Sequence, residues 1–478
     1  MKTIIRVVLS FVLAATIISA AYAQPPPTPL WSDPVGTRAI ALSADGQYVV
    51  VATSTEVRFY GRSSSTPLWT YSKTAETFAS VAISADGSYV AAGGFHIYFW
   101  SNAKSLPHDN PTPTWISVDL KGQIQHRCLA ISDDGNTVAA CGTGPGVYVF
   151  SWTGAAGKSG SDVDVTWDYF LNGQVEAIAI SEDGSHVAAV GYGSLPDGGG
   201  LGGVLVYWNN VGSLTKTYPP SPLPGQEPTW SGQEPGEDFV DVAISDDGNY
   251  VAVAGMGGIG TVYYWAGATS RTGTSEPDTW AGGVNVRFTS IDMSCDGDYV
   301  IAGTGRAIVA AGESGGAFAT SGAQDPAPQG SVYFWGGARG LSGTPGPSWV
   351  FSPTGAPVAD VAINDAGTYM AAVDSPIDTL YFFNRQGNLL WQDRAISGQL
   401  LSISCDGRTL AVGHYANPQT TAYLLDTGYS SPCCGAGEAV GGAVMPVNIL
   451  ASLGPWLAVI GVVGCVGTAV VIAKKRFA

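Results

Sequence analysis

The chain has 478 residues, only 12% of them charged, with 64 glycines, 29 prolines and 38 acids against 21 bases. So little charge excludes a charge-driven disordered chain and suits many short strands joined by turns. A net charge of −17 repels a phosphate backbone, which argues against nucleic acid as a partner.

The N-terminus reads as a secretory signal over residues 1–23. Lys2 and Arg6 precede an apolar run from Val7 to Ile18, and Ala21-Tyr22-Ala23 places small residues where a signal peptidase reads. The mature chain then begins at Gln24, and a uniform domain is expected over 24–427.

One phrase recurs eight times through that domain. It runs Ser43-Ala44-Asp45-Gly46, Ser84 to Gly87, Ser132 to Gly135, Ser181 to Gly184, Ser245 to Gly248, Ser294 to Gly297, Asn364 to Gly367 and Ser404 to Gly407. The acidic third residue is Asp45, Asp86, Asp134, Asp183, Asp247, Asp296 and Asp406, with Ala366 in the seventh copy. An alternating strand precedes each turn, a Tyr-Val-Ala-Ala-like strand follows, and a third strand ends in an apolar pair, assigned to Val149-Phe150 in the third copy. A Pro-rich stretch then leads to one tryptophan per copy: Trp31, Trp69, Trp115, Trp167, Trp230, Trp280, Trp349 and Trp391. These four strands are named a to d.

Gly supplies the positive φ of a tight hairpin and Asp bonds nearby amides, so the turns read as structural. Calcium would need more oxygen ligands than one Asp per turn provides. The tryptophans are expected to pack between neighbouring repeats.

A period of this size signals stacked supersecondary units. The strand order and the Ser-x-Asp-Gly turns resemble the WD-repeat and related propeller families, although the Gly-His and Trp-Asp dipeptides of true WD repeats are missing. The resemblance implies an all-β, eight-bladed β-propeller of four-stranded antiparallel blades. The tryptophan ring is also similar to that of quinoprotein dehydrogenases, whose docking motif with Thr-Gly-Lys is not found here. No cofactor is therefore expected.

The chain starts with a d-type strand at Trp31 and ends with a c-type strand at Ala422 to Leu425. The N-terminal strand is expected to complete the eighth blade and so remove two open edges. In the related families the b–c and d–a loops share one face, and the a–b and c–d loops share the other. Two b–c loops are long, Gly191 to Gly203 and Gly303 to Ser331. Tyr192, Asp197, Arg306, Glu313, Phe318 and Asp325 are their candidate binding residues, because long loops on a rigid scaffold carry binding.

Six cysteines lie outside the C-terminal apolar run and suggest disulfides in an exported chain. Cys128 and Cys141 flank the third turn symmetrically and face each other across the hairpin. Cys295 and Cys405 share one position in their turns. Cys433-Cys434 follows a short tail that spans at most about 25 Å extended. The adjacent pair is expected to bond one to each turn cysteine; a vicinal bond or pairing between molecules remains open.

A linker over 428–446 should lead to a transmembrane helix at 447–473. From Ile449 to Ala473 no side chain is charged, and Lys474, Lys475 and Arg476 mark a cytoplasmic tail at 474–478. No metal-ligating histidine pair or nucleophile elbow appears. These features together predict a single-pass cell-membrane protein whose outer domain presents loops to an extracellular protein or glycan. The alternative is an exported propeller enzyme, quinoprotein-like or a lyase or hydrolase, with a site in the central channel.

Overall fold

The computed structural model describes residues 24–434, except 121, 144–146, 196–199, 217–226, 258–259, 284–285, 306–329, 354–355, 376–378, 397 and 415–420. The expected signal segment and transmembrane helix lie outside these residues. Among the described residues no helix is long and apolar enough to cross a membrane.

The described chain folds into eight four-stranded antiparallel units. In each, strands a to d run in order from the centre outward; blade one, for example, is Ala39–Leu42, Tyr48–Ala52, Glu56–Gly61 and Trp69–Ser72. Every a strand touches the a strand of the next unit, and the last, Leu400–Ile403, returns to the first, so the ring closes. Strand Trp31–Asp33 completes blade eight by pairing with Ala422–Asp426, Trp31 opposite Leu424. The expected strap is therefore the one that forms.

The repeated turn has one construction. Ser43 Oγ donates to Asp45 Oδ1 at 2.6 Å, Asp45 accepts the Gln47 N–H at 2.9 Å, and Ser43 Oγ accepts the Tyr48 N–H at 3.0 Å. In blade seven Asn364 does both jobs, its Oδ1 accepting the N–H groups of Thr368 and Tyr369, so Ala366 is tolerated. The glycine has a second duty besides its positive φ. A Cβ on Gly135 would lie 2.2 Å from the ring of Tyr89, the residue that opens strand b of the preceding blade.

The tryptophans join blades as expected. Trp69 stacks on Phe59 of its own blade at 5.3 Å and lies 5.3 Å from Trp100 of the next, and its Nε1 donates to Ala103 O of that next blade at 2.8 Å. Trp115, Trp230, Trp280 and Trp349 repeat this bond. Trp167 packs on Trp208 and Trp31 on Tyr60 of the next blade, whereas Trp391 stacks on Phe382 of its own blade.

Three assignments made from sequence shift. The apolar pair of blade three in register with its tryptophan is Ser151-Trp152, not Val149-Phe150, since Ser151 pairs with Trp167. Trp167–Ile180 is one continuous strand that serves as d of blade three and a of blade four. The stretch from Gly191 to Gly203 is strand at both ends: Val187–Ser194 pairs with Gly202–Trp208, so Tyr192 faces Gly203 inside a ladder. Runs of Gly look like loop, but both edges here gain partners that satisfy the backbone.

Candidate binding face

One side chain of blade three reaches across the inside of the ring. Strand a of blade three, Gln123–Ile131, breaks register between Ile124 and Leu129, and Arg127 within that bulge takes φ 65°. A bulge re-aims a side chain, and this one points across the ring. The guanidinium lies 3.1 Å from Asp241 of blade five and 3.2 Å from Asp360 of blade seven, and donates to Thr289 O of blade six at 2.7 Å. Burial opposes its charge, but the two carboxylates outweigh burial and hold it firmly protonated. Burial, with the Arg127 charge second, pushes the neighbouring His126 down to about 3, so its imidazole is neutral near pH 7.

The channel carboxylates have structural work. Inner a strands expose N–H groups that no fifth strand can take. Asp241 accepts the Ile291 N–H at 3.0 Å, Asp292 that of Ile363 at 2.9 Å, and Asp360 that of Leu401 at 2.9 Å. Ser402 does the same for Leu42. Blades five to eight thus each cap the inner edge of the next.

On the a–b side the residue after the turn Ser bonds through its backbone to the neighbouring turn in several blades: Asp133 N to Glu182 O, Glu182 N to Asp246 O, Asp246 N to Cys295 O, Cys295 N to Asp365 O and Cys405 N to Ala44 O, all within 3.1 Å. Their side chains collect at the mouth. Burial first, and neighbouring carboxylates second, push Asp133 and Asp365 up to about 6 and Asp246 up to about 7.

Across this mouth lies the tail. Cys295 bonds Cys434 and Cys405 bonds Cys433, with Cα separations of 6.3 and 5.1 Å. Tyr429 packs on Tyr369 and Phe382, and the Ser431 N–H bonds Asp406 O at 2.8 Å, so the first part of the expected linker is docked on the ring. Asp365 stands beside Cys405 and Cys433, but both sulfurs are in the disulfide, and no thiolate is left there for a metal. Cys128 and Cys141 form the third bond, at 4.7 Å between Cα atoms.

The opposite face, made of b–c and d–a loops, carries exposed apolar side chains on three consecutive blades. Phe95 of blade two is 42% exposed and Leu201 of blade four 62%, both in b–c connections, and Tyr148 of blade three, second residue of strand c at the b–c end, is 37% exposed. Each is held. The buried Glu76 carboxylate accepts the Phe95 N–H and the Tyr98 hydroxyl, and lies 3.2 Å from His96 Nδ1, while Phe95 O accepts the Leu120 N–H. Tyr148 packs edge-on against Phe170 at 5.4 Å. Gln233 donates to Gly200 O beside Leu201.

Known structures share this architecture. The C-terminal WD40 domain of Sif2 aligns with a TM-score of 0.57 at 12% identity, covering 84% of this chain and 98% of that one. The fold is a WD40-like β-propeller. Sqt1 of Chaetomium thermophilum, solved bound to the N-terminus of the ribosomal protein L10, gives 0.55 at 16%, covering 81% and 96%. BamB from Moraxella catarrhalis gives 0.51 at 14%, covering 84% and 99%. No family model matches the chain, and no curated protein matches it.

Of the predicted loop residues, this propeller places only Tyr192 in described structure, half-buried in its ladder. Asp197, Arg306, Glu313, Phe318 and Asp325 lie outside the described residues. Sequence reasoning missed Phe95, although an aromatic directly after glycine in a b–c turn was a usable signal, and missed Tyr148 because it falls inside strand c.

Proposed function

We propose that the chain is a cell-surface scaffold whose b–c face docks an extracellular protein. The supporting observation is the exposed arc of Phe95, Tyr148 and Leu201 on three successive blades. Scattered exposed apolar residues are ordinary, but three anchored ones on one face of a rigid ring are what a hot-spot patch requires. The tail that leads toward the expected anchor at 447–473 is pinned by disulfides on the other face, away from the arc. The propeller of Sqt1 was solved holding a protein segment, in keeping with this use of the fold.

Arg127 weighs against the enzyme reading, since its guanidinium and the carboxylates of Asp241 and Asp360 are engaged with one another inside the ring. A photo-crosslinker placed at Phe95 on intact cells should capture one protein, and the same probe at Arg408 on the a–b face should not. The F95S/Y148S/L201S variant should lose the capture and keep its melting temperature. Equal capture from both faces would overturn the assignment.

A further inference from the structure

The outer edge of each blade follows a rule. The connection that precedes the d strand of one blade lies along the d strand of the blade before it. Residues 102–114 reach blade one, where the Thr70 N–H bonds His108 O at 3.0 Å and the Asn110 N–H bonds Thr70 O at 2.8 Å. Gly160–Val163 runs parallel to Trp115–Ser117 as a fifth strand of blade two. The Lys216 N–H reaches Thr166 O on blade three. Gly273 bridges Trp230 on blade four, and Gly343 bridges Trp280 on blade five, both parallel. On blade seven the N-terminal segment takes the place, with Gln24 N–H on Leu390 O at 2.7 Å.

The same groups are used each time. The residue after the d-strand tryptophan donates its N–H outward, as Thr70, Ser231 and Ala281 do. The residue before it offers its carbonyl, as Thr114, Thr166 and Leu390 do. Blade six breaks the pattern. Its d strand is Trp349–Phe351, and the covering connection of blade seven is only the tight turn between Asn384 and Leu389. That turn gives the Arg385 carbonyl to Trp349 Nε1 but no described residue bonds the Val350 N–H or the Ser348 carbonyl. Val350 is 47% exposed, and Trp349, unlike its fully buried counterparts in blades one to five, is only partly covered. Blade eight also has a short neighbouring connection, but its edge carries the Asp33–Arg58 ion pair, a charge guard that blade six does not have.

We propose that the blade-six edge is a docking site for an extended segment of a partner protein, added parallel to Trp349–Phe351 as a fifth strand. The occupant's chemistry is taken from the segment that covers blade five, residues 341–348: a Pro-containing stretch of Gly, Ser and Thr without charge, carrying one carbonyl for Val350 and one N–H for Ser348. Main-chain bonds at a sheet edge supply affinity in this mode of recognition, and the partly open Trp349 supplies an apolar shelf. This site lies on the rim, away from the b–c arc, so it stands or falls separately from the function proposed above.

The test uses the full chain in detergent and a fluorescent peptide of residues 337–348, the segment that covers blade five. Anisotropy should show saturable binding. V350P removes one outward donor and leaves the pairing with blade six's c strand, so affinity should fall about tenfold or more with unchanged melting. A second variant replaces residues 385–388 by residues 102–114, which covers the edge from within; it should abolish binding with no change in the d strand. Absence of saturable binding by the parent chain, or binding that survives both variants, overturns the proposal. A dimer in sedimentation that V350P disperses would name a second copy as the occupant and overturn it too.

Discussion

Arg127 of blade three and Asp360 of blade seven meet at 3.2 Å across the centre of the ring. Neither residue is near the other in sequence or in blade order, so the pair ties opposite arcs together. Asp360 also accepts Ser290 Oγ at 2.6 Å and caps Leu401, so the ion pair is wired into the a strands of blades six to eight. R127M leaves Asp241 and Asp360 buried without their cation. Breaking a buried pair from one side costs about 3–5 kcal/mol, and chemical denaturation should show a loss of that order. Adding D241N and D360N to R127M should recover much of it, since Asn can still cap the neighbouring N–H groups.

The carboxylates at the a–b mouth make a pH prediction. Asp246 is held up to about 7 and the channel residue Asp292 also up to about 7, both chiefly by burial. In the unfolded chain an Asp titrates near 3.9, so the folded form binds the proton more tightly. Stability therefore rises as pH falls toward the folded values and is lost as pH rises through them. Melting temperature should climb by about 2–4 °C between pH 8 and pH 6.5. Below that the buried His126, neutral in the fold, begins to oppose the gain as its unfolded counterpart protonates. D246N should raise the melting temperature at pH 8 and flatten the profile. A profile that falls between pH 8 and pH 6.5 contradicts the argument.

Two glycines separate strain from contact. Gly135 and Gly154 have nearly the same backbone, φ 70° and 69°. A Cβ on Gly135 meets the Tyr89 ring at 2.2 Å, whereas one on Gly154 meets nothing within 4 Å. G154A should cost about 1–2 kcal/mol from left-handed strain alone. G135A should cost clearly more, and Y89A/G135A should bring the two closer together. Equal losses for the single variants would show that the Tyr-on-Gly contact between blades carries no energy.

Peptide mapping of the non-reduced chain should return Cys128 with Cys141, Cys295 with Cys434 and Cys405 with Cys433. Either turn cysteine recovered as a thiol would exclude the pinned tail. C433S/C434S should lower stability by about 2–5 kcal/mol and leave the blades folded.

The fold was legible because its information is local. Each turn carries its own Ser, Asp and Gly, each blade its own tryptophan, and eight repetitions average out irregular copies such as Asn364 to Gly367. The interior of the ring was not legible for the opposite reason. Arg127 meets partners from three other blades, and nothing in the neighbourhood of Gln125-His126-Arg127 announces a bulge. The second turn positions, Ala44, Ala85, Asp133, Glu182, Asp246, Cys295, Asp365 and Cys405, vary from copy to copy and lie far apart in the chain. Only the closed ring brings those positions to one mouth, where their charges add. The fifth strand Gly160–Val163 carried no apolar alternation, because its place is fixed by backbone bonds to the neighbouring edge.

Blade eight joins the first strand of the domain to its last, Trp31–Asp33 to Ala422–Asp426. During synthesis the strand made first must wait, unpaired, while seven blades are laid down between it and its partner. Until then both ends of the growing arc present sheet edges open to any neighbouring strand. The two cysteines that lock the tail emerge only a few residues after the partner strand. Closure and locking thus fall in one short interval once residues 422–434 have emerged, and a nascent chain interrupted before residue 422 lacks the strand that closes the ring.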